Sequence, residues 1–532
     1  MLSRWSILCL LGATIAVKAK QEPIHLEDAY KVLSHPSLPA HTLRLRRVPG
    51  YVCGNRTSWS GYLDVDLDKL EEIEGGLGST KERYNHSGVV EHFYFWGFES
   101  RHEPEKNPLT LWLTGGPGCS SMTGLLQELG PCLATKDSGH GKISTKANPY
   151  SWVQKSNLIF LDQPIGVGFS YASWKNGTRT KKKSPATRVF SSQQGARDLS
   201  AFMHLLATHN DGPFGSYKND SSVHLRDFHV AGESYAGRYI PLMVDQILTD
   251  NALYEKNPEQ GLKPLPVQSM LIGNGMTSPK HLYQAYYDYA CTKKSGHKPF
   301  LAKSTCREMK KHLPTCLAKV DKCNKKYNRQ FCRETQFFCD EKLNDPWMGT
   351  DKSPFDYTHP DYYPEDEYIE SFLNDKVTRR VLGIDDYDFG DKDDGTFVGC
   401  SDRVYWDYYS TGDGVLDSTW AVKRALEEGV RVLAYSGRRD FQCNWLGNAA
   451  WIEELQWSGH DGYAKAKMHD WYAKKGDKER AGQFRHYGGL TFATLDHAGH
   501  LVPFDDRESS LVMFDRWLNP MTESGRLDSS FT

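Results

Sequence analysis

Apolar residues along the chain fall into short runs separated by turn-forming residues. The runs at Val89–Ser100, Leu109–Thr114, Leu158–Leu161, Phe228–Val230, Val267–Ile272, Val432–Tyr435 and Gly489–Leu495 predict strands. Several are apolar at consecutive positions, as strands buried on both faces of a mostly parallel sheet must be. Gln193–His209, Gly237–Thr249, Asn444–Leu455 and Arg507–Leu518 fit helices. Strand and helix alternate, which points to an α/β layered domain. The stretch from about His281 to Cys400 breaks the pattern: it is Cys-rich, then rich in Tyr, Asp and Pro between Phe355 and Tyr368. Strand signals resume after it, so it reads as an insertion stapled by disulfides onto the α/β body and not as a domain in series. No internal repeat is visible.

The N-terminal apolar stretch is of another kind. Arg4 precedes Trp5–Val17, and small residues follow at Ala16 and Ala19. That is the layout of a secretory signal over residues 1–19, shorter than the roughly 20 apolar residues that cross a bilayer. No later run reaches that length, so the expected product is exported, soluble and without a membrane anchor. Residues 20–52 form a possible pro-segment or N-terminal extension. The run Leu43–Arg47 ends in two arginines and marks either a processing point or a surface-charged helix end. The α/β body then occupies 53–280 and 401–520, the insertion 281–400 and a tail 521–532.

Composition narrows the class. Of 532 residues 39% are hydrophobic and 25% charged, enough core material for a globular protein. Lys plus Arg number 65 against 67 Asp plus Glu, a net charge of -2, which argues against a nucleic-acid partner. The basic run Lys181–Lys183 reads as a solvated loop. There are 12 cysteines, with Cys9 inside the signal and six between Cys291 and Cys339. None of those six forms a C-x-x-C pair, so disulfides fit better than a zinc ribbon. Sequons at Asn55, Asn85, Asn176 and Asn219 suit the same secretory lumen.

Chemistry first shows after the strand ending at Val230. Gly232-Glu233-Ser234-Tyr235-Ala236-Gly237 leads into a helix. Small residues two before and two after a serine, at a strand-to-helix junction, are what a nucleophile elbow requires. A serine hydroxyl needs a base oriented by an acid, and in such hydrolases these follow in the order Ser, Asp or Glu, His. Asp440 lies just past the strand Val432–Tyr435, and both His497 and His500 follow the last strand. The pattern does not choose between the two histidines, and a structural or metal role for the pair stays open. No HExxH occurs, which leaves zinc catalysis without its usual ligand motif.

Taken together, SGYLDVD (Ser60–Asp66), FWGFESR (Phe95–Arg101), LWLTGGPGCSSMTGLLQELGP (Leu111–Pro131), NPYSW (Asn148–Trp152), LIFLDQPIGVGFSY (Leu158–Tyr171), AGESYAGRYIP (Ala231–Pro241), LIGNGMTSP (Leu271–Pro279), DFQCNWLGNAAW (Asp440–Trp451) and AGHLVPFD (Ala498–Asp505) resemble the serine carboxypeptidases. The likeness is to the carboxypeptidase Y–like enzymes of fungal vacuoles and secretions. It implies an α/β-hydrolase fold with the insertion as a cap. It also implies a peptidase that releases C-terminal amino acids from peptides and proteins through an acyl-enzyme, without metal or organic cofactor. By the same resemblance Ser234 is the nucleophile, His500 the base and Asp440 its orienting acid. Gly116 and Tyr235 would supply the oxyanion N–H groups.

Further roles follow from the resemblance alone. Glu128 and Glu233 would grip the substrate's terminal carboxylate with Trp112, Thr114 and Gly115. Two close carboxyls share a proton, so hydrolysis is expected to favour acidic pH. Thr123, Gln127, Cys443 and Leu501 would line the site of the departing residue. The implied disulfides are Cys119–Cys400, Cys291–Cys306, Cys316–Cys339 and Cys323–Cys332. Cys53 and Cys132 are proposed here as a fifth pair, which leaves Cys443 free and expected to be open to thiol reagents. Two positions depart from the family pattern: Thr114 stands for an asparagine, and Arg438 for an aspartate, a cation expected to bias side-chain preference. Rival readings are an acyltransferase or esterase on the same scaffold, or a catalytically silent lumenal binding protein.

Overall fold

A computed structural model of the chain describes residues 30–74, 88–137, 141–175, 191–209, 214, 216–219, 222–360, 363–384 and 395–519. Among these, thirteen strands join in one mixed sheet. They are β1 (Lys31–Ser34), β2 (His41–Val48), β3 (Ser58–Asp66), β4 (Val89–Phe98), β5 (Leu109–Leu113), β6 (Asn157–Leu161), β7 (Tyr171–Trp174), β8 (Phe228–Glu233), β9 (Val267–Gly273), β10 (Arg431–Gly437), β11 (His469–Trp471), β12 (Gly482–Tyr487) and β13 (Leu490–Leu495). Their order across the sheet is β1-β2-β3-β4-β6-β5-β8-β9-β10-β13-β12-β11, with β7 beside β4. From β6 to β13 neighbouring strands are parallel. The flanks β1–β4 and β11–β12 pair antiparallel.

The parallel strands are apolar throughout because each face meets its own core. Along them alternate residues point to opposite sides. Leu111, Val230, Ile272, Val432 and Phe492 enter one core with helices α1 (Ser192–Thr208) and α2 (Ala236–Lys256). Trp112, Ala231, Leu271, Leu433 and Leu495 enter the other. There Trp152 stacks on Phe514, a residue of the C-terminal helix Arg507–Leu518, with ring centroids 4.1 Å apart.

The insertion leaves the sheet after β9 and returns at β10. It is helical: α3 (Pro279–Cys291), α4 (Lys303–Lys325) and α5 (Arg329–Cys339) enclose a third core with Tyr286, Trp347 and Phe441. Bridges Cys291–Cys306, Cys316–Cys339 and Cys323–Cys332 close it internally. Cys119–Cys400 ties its far end to the glycine-rich loop after β5, and Cys53–Cys132 pins the N-terminal strands.

Leu43–Arg47 differs from both readings offered for it. It lies inside β2, which pairs with β1 on one side and β3 on the other, and Leu43 and Leu45 are wholly buried. Arg44 and Arg46 alternate with them onto the opposite face, where Arg44 pairs with Asp64 and covers the Tyr62 ring. Cleavage after Arg47 would sever a sheet strand. Asn55 is exposed; the side chain of Asn219 lies outside the described set, as do Asn85, Asn176, Lys181–Lys183, residues 1–19 and 521–532. Among the described residues no helix is long and apolar enough to cross a membrane.

Candidate active site

The turn from β8 into α2 spans two residues. Ser234 takes φ 63°, in the left-handed region that a non-glycine residue adopts only when its surroundings enforce it. Its N–H donates to the Gly273 carbonyl and its own carbonyl accepts from Gly237 and Met276. Space explains the small residues: a Cβ at Gly232 would lie 2.1 Å from the Leu113 oxygen. A Cβ at Gly115 would lie 2.4 Å from the Tyr235 nitrogen and 2.7 Å from the Ser234 Cβ. The glycine-rich loop therefore rests directly against the elbow.

A buried network fixes the start of α2 from behind. The Tyr235 hydroxyl donates to Asp413 at 2.6 Å, and Arg238 donates to both oxygens of the same carboxylate at 2.8 and 3.2 Å. Burial raises the Asp413 carboxyl, but Arg238 and the Tyr235 and Ser192 hydroxyls outweigh it and hold it below the usual carboxylate range.

Asp440 follows the end of β10 and is wholly buried. It accepts from His500 Nδ1 at 2.8 Å, from Asn274 Nδ2 at 2.6 Å and from the Cys443 N–H at 3.2 Å. His500 is also held by its backbone: its N–H donates to the Phe355 carbonyl at 2.7 Å, and the preceding Gly499 N–H donates to Asp505 at 2.7 Å. Burial pulls the imidazole pKa down, and Asp440 overrides it, so the net direction is upward. His497 is 47% exposed and faces Glu479 at 3.8 Å, so the two histidines have separate surroundings.

The Ser234 hydroxyl hydrogen-bonds the Cys443 thiol. This cysteine is free but only 1% exposed, with its peptide N–H tied to Asp440. Burial first, then Asp440, pushes the thiol well above its ordinary pKa. The expectation of an open thiol is therefore not met.

Glu128, from the π-turn Gly124–Leu129, and Glu233, at the end of β8, are each 2% exposed and hydrogen-bond one another. Burial pushes Glu128 up to about 7. Burial, then the Glu128 charge, drives Glu233 well above the carboxylate range. The pair therefore holds a proton in weakly acidic solution. Arg507 anchors the turn by donating to the Gln127 and Glu128 carbonyls at 2.8 and 2.9 Å. The Thr114 hydroxyl accepts from the Trp112 indole at 3.1 Å. Gln127 is buried with no protein partner for its Nε2, Thr123 donates to the Ser120 carbonyl, and Leu501 is half-buried.

Arg438 turns away from these groups. It pairs with Asp496 at 2.9 Å, donates to Gln483 at 2.7 Å and lies over the Trp445 ring. Its charge is matched locally, so the preference expected from it has no support in its placement. Three positioning residues escaped sequence reasoning. Asn274 and Asp505 stand in runs already singled out, LIGNGMTSP and AGHLVPFD, as polar residues without an assigned task. Phe355 acts through its backbone carbonyl, for which a side-chain pattern carries no signal. Among the described residues no group of His, Cys, Asp and Glu is arranged to hold a metal.

The serine carboxypeptidase family profile matches residues 84–520. Carboxypeptidase Y of Komagataella phaffii is 32% identical over 515 residues, covering 96% of this chain and 84% of that protein. The vacuolar serine-type carboxypeptidase ATG42 of Saccharomyces cerevisiae is 34% identical over 492 residues, covering 90% of this chain and 83% of its own length. Among solved structures, Kex1(delta)p, a prohormone-processing carboxypeptidase from Saccharomyces cerevisiae, shares the fold with a TM-score of 0.66 at 22% identity, covering 89% of this chain and 95% of that one.

Proposed function

The chain belongs to the serine carboxypeptidase family, and from that premise we propose that it releases single residues from peptide C-termini through an acyl-enzyme on Ser234. The Ser234 oxygen attacks the scissile carbonyl while its proton passes to His500, which requires the hydroxyl to turn from Cys443 to the imidazole. Asp440 stabilises the resulting imidazolium. The Gly116 and Tyr235 N–H groups receive the oxyanion. As the C–N bond breaks, His500 returns the proton to the departing amine. Water then repeats the sequence and frees the enzyme.

The observation that carries the exopeptidase reading is the buried Glu128–Glu233 pair beside the nucleophile. While it holds a proton it hydrogen-bonds a substrate's terminal carboxylate; fully ionised, it repels one. Trp112, Thr114 and Gly115 complete that clamp in this reading, and Thr123, Gln127, Cys443 and Leu501 border the departing residue. We place the enzyme in the secretory route, outside the cell or in a vacuole, with glycans at its sequons.

The test compares an N-blocked dipeptide with a free carboxylate against an ester that has none. The dipeptide should be cleaved at acidic pH, and Ser234→Ala should lower its kcat/KM by at least about 10³-fold. A fluorophosphonate should label Ser234. Turnover of the ester alone would overturn the carboxypeptidase reading.

A further inference from the structure

A cleft beside the elbow is walled by Gly116 and Tyr235 from the catalytic loops and by Tyr283, Tyr286, Gln336 and Asp340 from the insertion. None of Trp112, Thr114, Glu128 and Glu233 lines it. It thus adjoins the oxyanion donors and excludes the carboxylate clamp. When a substrate's terminal carboxylate sits on the acid pair and its scissile carbonyl faces Gly116 and Tyr235, the side chain of the penultimate residue is the part left to enter this cleft.

The wall is largely aromatic and apolar, with Asp340 as its acid. Asp340 belongs to the π-turn Asp340–Asn344 that follows α5. It accepts from the Tyr283 hydroxyl at 2.7 Å and from Tyr409 and Gln336. The charged side chain that bears on it most is a second carboxylate, Asp345, not a base. Burial raises it to about 7, and no lysine or arginine offsets that rise among its main influences. The Gln336 Oε1 beside it is buried without a protein partner. A carboxylate and an unmatched carbonyl oxygen, framed by tyrosine rings, complement a cation carried on an aliphatic stem. The head would donate to the two oxygens while the stem lies along the rings.

We propose that Asp340 is a specificity-determining residue that makes the enzyme favour lysine or arginine as the penultimate residue of its substrates. The inference rests on the active-site reading above. Its test measures kcat/KM for two N-blocked dipeptides that differ only at that position, lysine against norleucine, which has the same stem without the charge. The wild type should favour lysine at pH 7, and Asp340→Asn, which keeps the shape, should lower the lysine-to-norleucine ratio by about tenfold. A second measurement needs no variant. The groups facing Asp340 are Asp345 and the tyrosines 283, 286, 405 and 409, with Gln336 neutral, and substrate lysine is charged throughout. The wild-type ratio should therefore rise from pH 5 to pH 7.5 as Asp340 ionises. A ratio near one, or one unmoved by both pH and Asp340→Asn, overturns the proposal. A wild type that cleaves neither peptide overturns the active-site reading beneath it instead.

Discussion

Ser234 and Asn274 occupy left-handed backbone, φ 63° and 40°, at the C-terminal ends of the adjacent strands β8 and β9. Each is held by its neighbour strand, Ser234 N–H on Gly273 and Asn274 N–H on Tyr435. Asn274 thereby reaches Asp440 with its amide and Gly437 N–H with its carbonyl oxygen. Replacing Asn274 by Ala should lower kcat by about 10- to 100-fold with KM changed far less, because the loss falls on the orientation of Asp440 and not on substrate contacts. Steady-state kinetics on the dipeptide would separate the two parameters. The acid pair sets a second prediction. With both members raised and Glu233 driven well above the carboxylate range, kcat/KM for a free-carboxylate peptide should fall once rising pH strips the pair's last proton. In the proposed mechanism the acid limb belongs to His500, whose raised pKa costs the neutral base as pH drops. Glu128→Gln should flatten the alkaline limb and leave the acid limb in place, read from pH profiles of kcat/KM.

Elements differ in how clearly their residues announced them. The central parallel strands were legible to within a few positions, because burial on both faces leaves no room for polar residues between turns. The flanking antiparallel strands β2 and β3 were not, since arginines interrupt the apolar run of β2 and pair and stack at the surface. Helices α4 and α5 were hidden for a similar reason: lysines cover the outer face of α4, arginine and glutamate lie on that of α5, and the cysteines supply much of the inner faces. The elbow and the candidate acid were legible as motifs, but the different surroundings of His497 and His500, one exposed and one buried against Asp440, come only with the fold. One element joins the two halves of the site: Cys119–Cys400 tethers the glycine-rich loop across 281 residues. Replacing both cysteines by Ala should cost on the order of 3 kcal/mol or more in denaturant-induced unfolding, by the chain-entropy argument. It should also weaken activity, since Gly115 and Gly116 lie just before the tether.

For the whole molecule, proton balance links stability to acidity. Glu128, Asp162, Asp340 and Asp505 are each raised to about 7, so the folded chain keeps protons that the unfolded chain releases from about pH 4 upward. A group raised in the folded state stabilises at low pH and loses that contribution as pH climbs through its folded value. His204 and His229 act oppositely, lowered to about 4 and 3 by burial, and penalise folding below about 6.5. The four carboxyls outnumber the two imidazoles, so Tm should be higher at pH 5 than at pH 8. The buried Arg238–Asp413 pair, which joins α2 to the last part of the excursion between β9 and β10, adds a mechanical link. Arg238→Met strands a buried charge and should cost about 3–5 kcal/mol in chemical denaturation.

The insertion's point of departure has a consequence for biosynthesis. β9 and β10 lie side by side in the middle of the sheet, yet one ends at Gly273 and the other begins at Arg431. As the polypeptide emerges, the backbone amides and carbonyls along one edge of β9 stay unmatched until the whole cysteine-laced excursion has been made and threaded back. Naked strand edges invite pairing with other chains, and late closure over such a distance is slow. A nascent chain stalled within the insertion should therefore aggregate or bind chaperones, while one released after β13 should not.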